Sequence, residues 1–360
     1  MCSKAIRDTL RCKNPAAIQL DTSRLEYYSR FVKELSTAQE DFDPTTLEYL
    51  APHLPSDFLL LPQTRVLKIP RCPDHMQGYD MLLGPALVEI DIEIYFEDFE
   101  VFDQWKPLRY GMSLLTRMCT MCPNLEVLRM TLENGRSIHI GSFIQVVQSR
   151  YTCLRVLHLS AYNCFIDDRR DAEFTSKPIT DLLRTTCSRV QEFSSVEIPV
   201  PADGVIKLAT NPNLRDVWIC LDATALELSL FEGIHRPFSA LRSMRFSVEH
   251  LDERSLSFLD SVSSGVLTRL VIDLEGFQLT STMLRAHTKK LQQSPFRNTL
   301  TLFGFTFYES LAEHVTYKAL KPLFDLPRIS RLFLQYPSDK VAQTIAQKKP
   351  HIEVVEKEDW

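Results

Sequence analysis

The stretch Leu125-Glu126-Val127-Leu128-Arg129-Met130, echoed by Leu154-Arg155-Val156-Leu157-His158-Leu159, decides how this chain folds. Each copy runs apolar, two variable residues, apolar, one variable residue, apolar. Its second half alternates, so the apolar side chains of an extended strand fall on one face and the variable ones on the other. The pattern returns as Leu87-x-x-Ile90-x-Ile92, Leu214-x-x-Val217-x-Ile219, Leu241-x-x-Met244-x-Phe246, Leu267-x-x-Leu270-x-Ile272 and Ile329-x-x-Leu332-x-Leu334. Weaker copies lie at Val66–Ile69, Val190–Phe193, Leu300–Leu302 and Ile352–Val355. Where consecutive copies are clear they start about 26 to 38 residues apart. Regular leucine-rich repeats take ~20–29, so there is room for a full helix between strands.

The intervening segments carry that helix. Leu108, Met112, Leu115, Met118 and Cys119 recur at near-helical spacing, as do Phe143, Val146 and Val147, and Ile179, Leu182 and Leu183. Thr280-Ser281 and Ser338-Asp339 open two more helices with capping residue types. Cys122-Pro123-Asn124 and Asn211-Pro212-Asn213 punctuate the helix ends, because proline lacks the amide proton a helix interior uses.

One strand and one helix cannot bury both their apolar faces, whereas stacked neighbours share a continuous core. The expected fold is therefore α/β: a leucine-rich-repeat-like solenoid of roughly ten units, with a curved parallel sheet inside and helices outside. A doubly wound α/β domain also alternates strands and helices, but a sheet covered on both faces shows continuous apolar runs rather than alternation. Asp21-Thr22-Ser23 caps an expected helix through Arg24, Leu25, Tyr28, Phe31, Val32 and Leu35, and a second short helix is expected over about Pro44–Leu54. Residues 1–60 thus read as a helical cap and linker, and 61–357 as the solenoid.

Composition bounds the function. The chain of 360 residues is 44% hydrophobic and carries a net charge of −5, which gives no chain-wide attraction to phosphate, so no nucleic-acid partner is expected. Met1–Pro15 hold no uninterrupted apolar segment of the kind a secretory signal needs, and the run Phe58–Leu61 falls far short of the ~20 residues of a membrane span. No membrane partner is expected, and the location reads as cytoplasm or nucleus. Nine cysteines, an odd number, fit reduced thiols. Cys119 and Cys122 form a lone C-x-x-C without a second pair or histidines at zinc-finger spacing, so they read as core thiols rather than a metal or redox site.

The irregular copies, such as Cys153-Leu154-Arg155-Val156-Leu157-His158-Leu159, together with Arg24-Leu25-Glu26-Tyr27-Tyr28-Ser29-Arg30-Phe31-Val32-Lys33-Glu34-Leu35 upstream, resemble the F-box/leucine-rich-repeat proteins of fungal type. The upstream segment is similar to the tyrosine, basic, valine, basic, leucine stretch that joins F-box to first repeat in that family. The resemblance implies the substrate-recognition part of a ubiquitin ligase receptor, with a protein substrate or regulator held by the repeats. The segment before Arg24 is too short for an F-box and lacks its Leu-Pro-x-Glu start. Leu54-Pro55-Ser56-Asp57 imitates that start but lies after the linker and reads as a loop. Docking of a Skp-type adaptor is therefore expected only through an F-box further upstream. The alternative is a stand-alone repeat protein that binds or inhibits a partner without a ubiquitin role.

Candidate partner-binding residues are the outward strand positions Asp91, Glu93, Arg129, His158, Trp218, Arg245 and Phe333. The two aromatic ones are the foremost anchors, since aromatic side chains dominate interface energetics. The acidic, aromatic stretch Glu89–Trp105, with Tyr95, Phe96, Phe99 and Phe102, reads as a long loop with inward-packed rings before it reads as a receptor for a basic segment. No G-x-G-x-x-G, P-loop, H-E-x-x-H or G-x-S-x-G is present. His158 with Cys164, Asp167 and Asp168 is the remote catalytic grouping, far short of a triad with an oxyanion site. The expectation is a non-enzymatic chain with no cofactor and no metal.

Overall fold

The structure is a computed structural model. It describes residues 29–37, 58–73, 78–95, 106–133, 137–150, 153–162, 168–186, 188–222, 224–226 and 230–355, with single positions 27, 47 and 52. The chain divides into two compact units, 1–178 and 179–360.

In the first unit the described residues place five strands side by side in chain order: β1 (Glu34–Ser36), β2 (Val66–Pro73), β3 (Glu89–Tyr95), β4 (Val127–Glu133) and β5 (Val156–Tyr162), all parallel. Helices α1 (Lys106–Met121) and α2 (Ser137–Arg150) fill the crossings between β3, β4 and β5. Helix α3 (Asp168–Thr186) spans the boundary between the units. The second unit adds β6 (Glu192–Val200), β7 (Asp216–Leu221), β8 (Ser243–Val248), β9 (Arg269–Leu274), β10 (Leu302–Thr306), β11 (Arg331–Leu334) and β12 (Glu353–Val355), again parallel and in chain order. Its helices are α4 (Ala202–Ala209), α5 (Glu253–Ser261), α6 (Ser281–Leu291) and α7 (Asp339–Lys348), with shorter helical turns between β10 and β11. The architecture is the expected leucine-rich-repeat-like α/β solenoid: among the described residues each repeat gives one strand, in chain order, with helices or helical turns in the crossings.

The alternation seen in the sequence becomes burial. Leu128, Met130 and Leu132 on β4 and Leu157, Leu159 and Ala161 on β5 are fully buried, while the residues between them are half-exposed. The same holds for Val217, Ile219 and Leu221 on β7. Burying one Leu or Ile side chain contributes ~1.5–3 kcal/mol, so the inward row is the main source of stability.

A second regularity sets the register. One carbonyl per repeat accepts two consecutive N–H groups from the next repeat. In the first unit the acceptors are Lys33, Arg65, Val88 and Glu126. In the second they are Gln191, Arg215, Arg242, Thr268 and Thr301, at 2.7–3.2 Å. Each acceptor directly follows the first position of the motif, just before the strand. At four of the steps the carbonyl at the first position itself accepts from a polar side chain of the next repeat. Thr64 Oγ1 donates to Val32 (3.2 Å), Asn211 Nδ2 to Val190 (2.7 Å), Ser264 Oγ to Leu241 (2.6 Å) and Thr299 Oγ1 to Leu267 (2.8 Å).

The amino-terminal expectation needs correction. Tyr27 and Ser29 are helical, but the helix does not run through Leu35. Glu34–Ser36 is a strand paired with Val66–Lys68. Val32-x-x-Leu35 satisfies both a helical spacing and the repeat motif, and pairing with β2 decides for the strand. Of the helix expected over Pro44–Leu54, only Leu47, helical and buried, and Pro52 lie within the described residues.

The remaining helices follow their residues. Thr280 Oγ1 accepts from Met283 N at 3.1 Å, the expected cap of α6. Ser338 stands at the first end of α7 without a side-chain cap bond. Helix α5 carries a full capping box: Asp252 Oδ1 accepts from Arg254 N and Ser255 N, and Ser255 Oγ accepts from Asp252 N.

Two substitutions separate the contributions. Leu270→Asp places an unpaired charge at a fully buried position between Met244 and Phe303 and should cost about 4 kcal/mol or more, unfolding the second unit. Ser264→Ala leaves the fold intact but strips a donor from a buried carbonyl, at about 1–3 kcal/mol. Urea titrations followed by circular dichroism measure both.

Candidate functional site

The half-exposed face of the strands is where the sequence places candidate residues, and pairing shows which of them meet. In the first unit Lys68, Asp91, Arg129 and His158 stand abreast on β2 to β5. Glu93, Thr131 and Ser160 form the next row. Asp91, Glu93, Arg129 and His158 are thus brought together as one surface. Arg129 Nη1 bonds Glu89 Oε1 at 2.5 Å, and Lys68 reaches the exposed Glu34 at 3.5 Å.

Burial governs the protonation of this row. It raises the Asp91 carboxyl above its usual range, although Arg129 and Lys68 pull the other way. It pushes the His158 imidazole down to about 4, assisted by the positive charge of Arg129. His158 is therefore neutral at physiological pH and offers one donor and one acceptor. A base this weak suits recognition better than proton abstraction near neutrality. Cys164 and Asp167 lie outside the described residues, and Asp168 begins α3.

In the second unit the corresponding row runs Ser194, Trp218, Arg245, Val271, Gly304, Phe333, Val355. Its first part is polar and cross-linked. The Arg245 guanidinium lies 3.9 Å over the Trp218 ring, and its Nε donates to Asp273 Oδ2 at 2.7 Å. Thr306 Oγ1 donates to Asp273 Oδ1 at 2.6 Å, and Ser247 Oγ to Oδ2 at 3.4 Å. Asp273 thus ties β8 and β10 to β9. The later part is apolar: Phe333 packs with Val271, Leu302 and Val355 and is only 7% exposed. It reaches that position because Gly304 has no side chain, for a Cβ there would collide with Val271 and crowd the Phe333 ring. Phe333 lies on the expected face but is covered by its neighbours, so Trp218 remains the accessible aromatic candidate.

Beyond these rows the structure adds groups that the repeat pattern did not mark. Glu275 accepts from Cys220 Sγ at 3.9 Å. Burial raises the Glu275 and Glu197 carboxyls, and each is raised further by nearby carboxylates. Glu197 sits at φ 59°, in a bulge where the pairing of β6 with β7 shifts between Ser195 and Pro199. Past the strand ends, Phe277, Tyr308 and Tyr336 are exposed. Outward alternation on β9 would have found Asp273. The exposed rings lie in loops, where no periodicity points to them.

Other expectations fall into place around the rows. Cys122 is buried near the end of α1, with its thiol pushed up to about 11 by burial, and Cys119 Sγ reaches the Val146 carbonyl at 3.9 Å. These are packed thiols. Of the acidic stretch Glu89–Trp105, the part to Tyr95 is strand β3, and 96–105 lie outside the described residues. Among the described residues no helix is long and apolar enough to cross a membrane, and no three His, Cys, Asp or Glu side chains converge as metal ligands.

No family model and no curated protein matches this chain. Among solved structures it is similar to a protein of Bacteroides fragilis determined as a structural-genomics target. The two share 10% identity over 77% of this chain and 68% of that one, with a TM-score of 0.36.

The His158 environment has a measurable pH signature. Its folded value lies below the unfolded 6.5, so protonation costs the folded state nothing above pH 6.5. Destabilisation grows as pH falls through 6.5, because the unfolded chain takes up a proton that the folded one refuses, and it levels off near pH 4. Asp91, raised when folded, works in the opposite direction. The urea midpoint of His158→Gln should therefore rise relative to that of the natural chain as pH is lowered from 7 to 4.

Proposed function

We propose that this chain is a protein-interaction module that holds a partner protein on the outward faces of its strands. The observation that carries the reading is the organised state of those faces. Trp218, Arg245 and Asp273 are locked by a cation–π contact and a charge-assisted hydrogen bond, while Asp91, Arg129 and His158 stand in one register row. Pre-set side chains lose little freedom on binding. Aromatic and arginine side chains are the residue types that anchor interfaces.

Within that function we favour the role implied by the family resemblance, substrate recognition in an F-box-type ubiquitin ligase of the cytoplasm or nucleus. One observation favours the second reading, a stand-alone binding or inhibitor protein. Glu34–Ser36, part of the segment that resembles the F-box linker, is itself a strand of the array, paired with Val66–Lys68. Capture of a Skp-type adaptor by the full chain separates the two. Adaptor binding supports the ligase role, and its absence beside normal partner binding supports the stand-alone role.

The binding face is tested by partner crosslinking followed by affinity measurement with Trp218→Ala and Ser160→Glu. The first removes an aromatic anchor, and the second sets a charge on an open row of the first unit. At least one should weaken capture about tenfold or more with the thermal midpoint little changed. Normal affinity in both variants places the partner elsewhere.

A further inference from the structure

We propose that the ends of strands β8 to β10 form a docking ledge for an arginine-rich segment of a partner protein, with the stacked Phe277 and Tyr308 rings as platform and Glu249 and Glu275 as counter-charges. The proposal deepens the binding-module reading and rests on it.

The platform is unusual in its exposure. Phe277 is 70% exposed and Tyr308 44%. Their ring centroids are 4.4 Å apart with planes inclined by 17°. Tyr336, 42% exposed, follows β11 and meets Phe307 edge-on at 6.4 Å. Single exposed hydrophobes need no explanation. Three exposed aromatics follow three consecutive strands, two of them stacked on each other, and aromatic rings attract cations.

Position and charge identify the occupant. The Gly276 backbone is pressed against the Glu249 carbonyl so closely that no Cβ fits between them, and Glu275 N donates to Val248 O at 2.9 Å. The loop bearing Phe277 is thereby fixed against the turn after β8. Residues 249–254, 275–280 and 307–314, which follow β8, β9 and β10, carry Glu249, Asp252, Glu253, Glu275, Glu309 and Glu313, with Arg254 as their one Lys or Arg. Arg254 is already taken by Asp252 at 3.1 Å. His250 and His314 lie 3.6 Å from Glu249 and Glu313, whose carboxylates remain 80% exposed. The ledge therefore presents exposed rings in an acidic surround. A guanidinium suits both features, since its plane stacks on rings and its edge pairs with carboxylates, whereas an ammonium is a compact hydrated charge. The same unit already builds this arrangement internally, where Arg245 covers Trp218 and bonds Asp273.

The test is titration of the full chain with a fluorescent oligo-arginine peptide, alongside its oligo-lysine and oligo-glutamate counterparts. The arginine peptide should bind best. Phe277→Ala and Tyr308→Ala should each weaken it about three- to tenfold, and Glu249→Gln with Glu275→Gln should flatten its salt dependence. Both aromatic positions are exposed, and unchanged thermal midpoints confirm that the variants fold. Lysine binding equal to arginine binding, or affinity indifferent to Phe277→Ala, overturns the proposal. So does a homodimer in sedimentation that Phe277→Ala dissolves, because the ledge is then occupied by a second copy. The two readings fail separately. If the peptide does not bind while Trp218→Ala or Ser160→Glu still abolishes partner capture, the ledge is wrong and the binding module stands. If the peptide binds as described but those variants leave capture intact, the strand-face reading is wrong and the ledge stands.

Discussion

A single carbonyl per repeat, shared by two N–H groups of the next repeat, fixes everything that follows it. A strand slipped by one residue would turn its buried row outward and its charged row inward. The shared carbonyl stands just before each strand and starts the pairing at one defined residue. From Lys33 to Glu126 and from Gln191 to Thr301 the step recurs although the chain between steps varies from full helices to short helical turns. The connecting segments are free to differ because they do not set the register.

That freedom explains how one surface can be specified by degenerate repeats. Each strand contributes an inward row that must be apolar and an outward row on which, outside the packed stretch around Val271 and Phe333, the core places little demand. In the second unit the outward positions are spent on a network centred on Asp273, with Arg245, Ser247 and Thr306 arriving from the two flanking strands. Separate weak contacts become one unit when they converge on a single carboxylate. The cost of ordering Arg245 is met within the protein rather than at the moment of binding.

Much of this was legible in the sequence. The motif located β2 to β12, and the helical spacings located α1, α2, α3, α6 and α7, because both periodicities report burial directly. Strand β1 does not stand out in the sequence because Val32 and Leu35 are spaced for a helix as well as for the repeat. Helix α5 carries a capping box of Asp252 and Ser255 but only a short apolar stripe. The candidate residues fall on the outward side of the strands, Phe333 buried and the others half-buried, and that degree of burial is not legible in a local pattern. Whether Phe333 stands free depends on Gly304 one strand away, a relation across strands that no local pattern contains. The ledge of Phe277 and Tyr308 was illegible for a similar reason, since only the fold stacks residues from successive loops.

The nesting of Phe333 on Gly304 has a consequence for sequence drift. Any side chain gained at 304 meets Val271 on one side and the Phe333 ring on the other, so these positions cannot change one at a time. A family of such proteins should show glycine opposite a large ring, or a small side chain opposite a smaller neighbour, with mixed pairs purged. Part of the outward face is then held constant by its own packing, and only the remainder is left open to selection by whatever the protein binds.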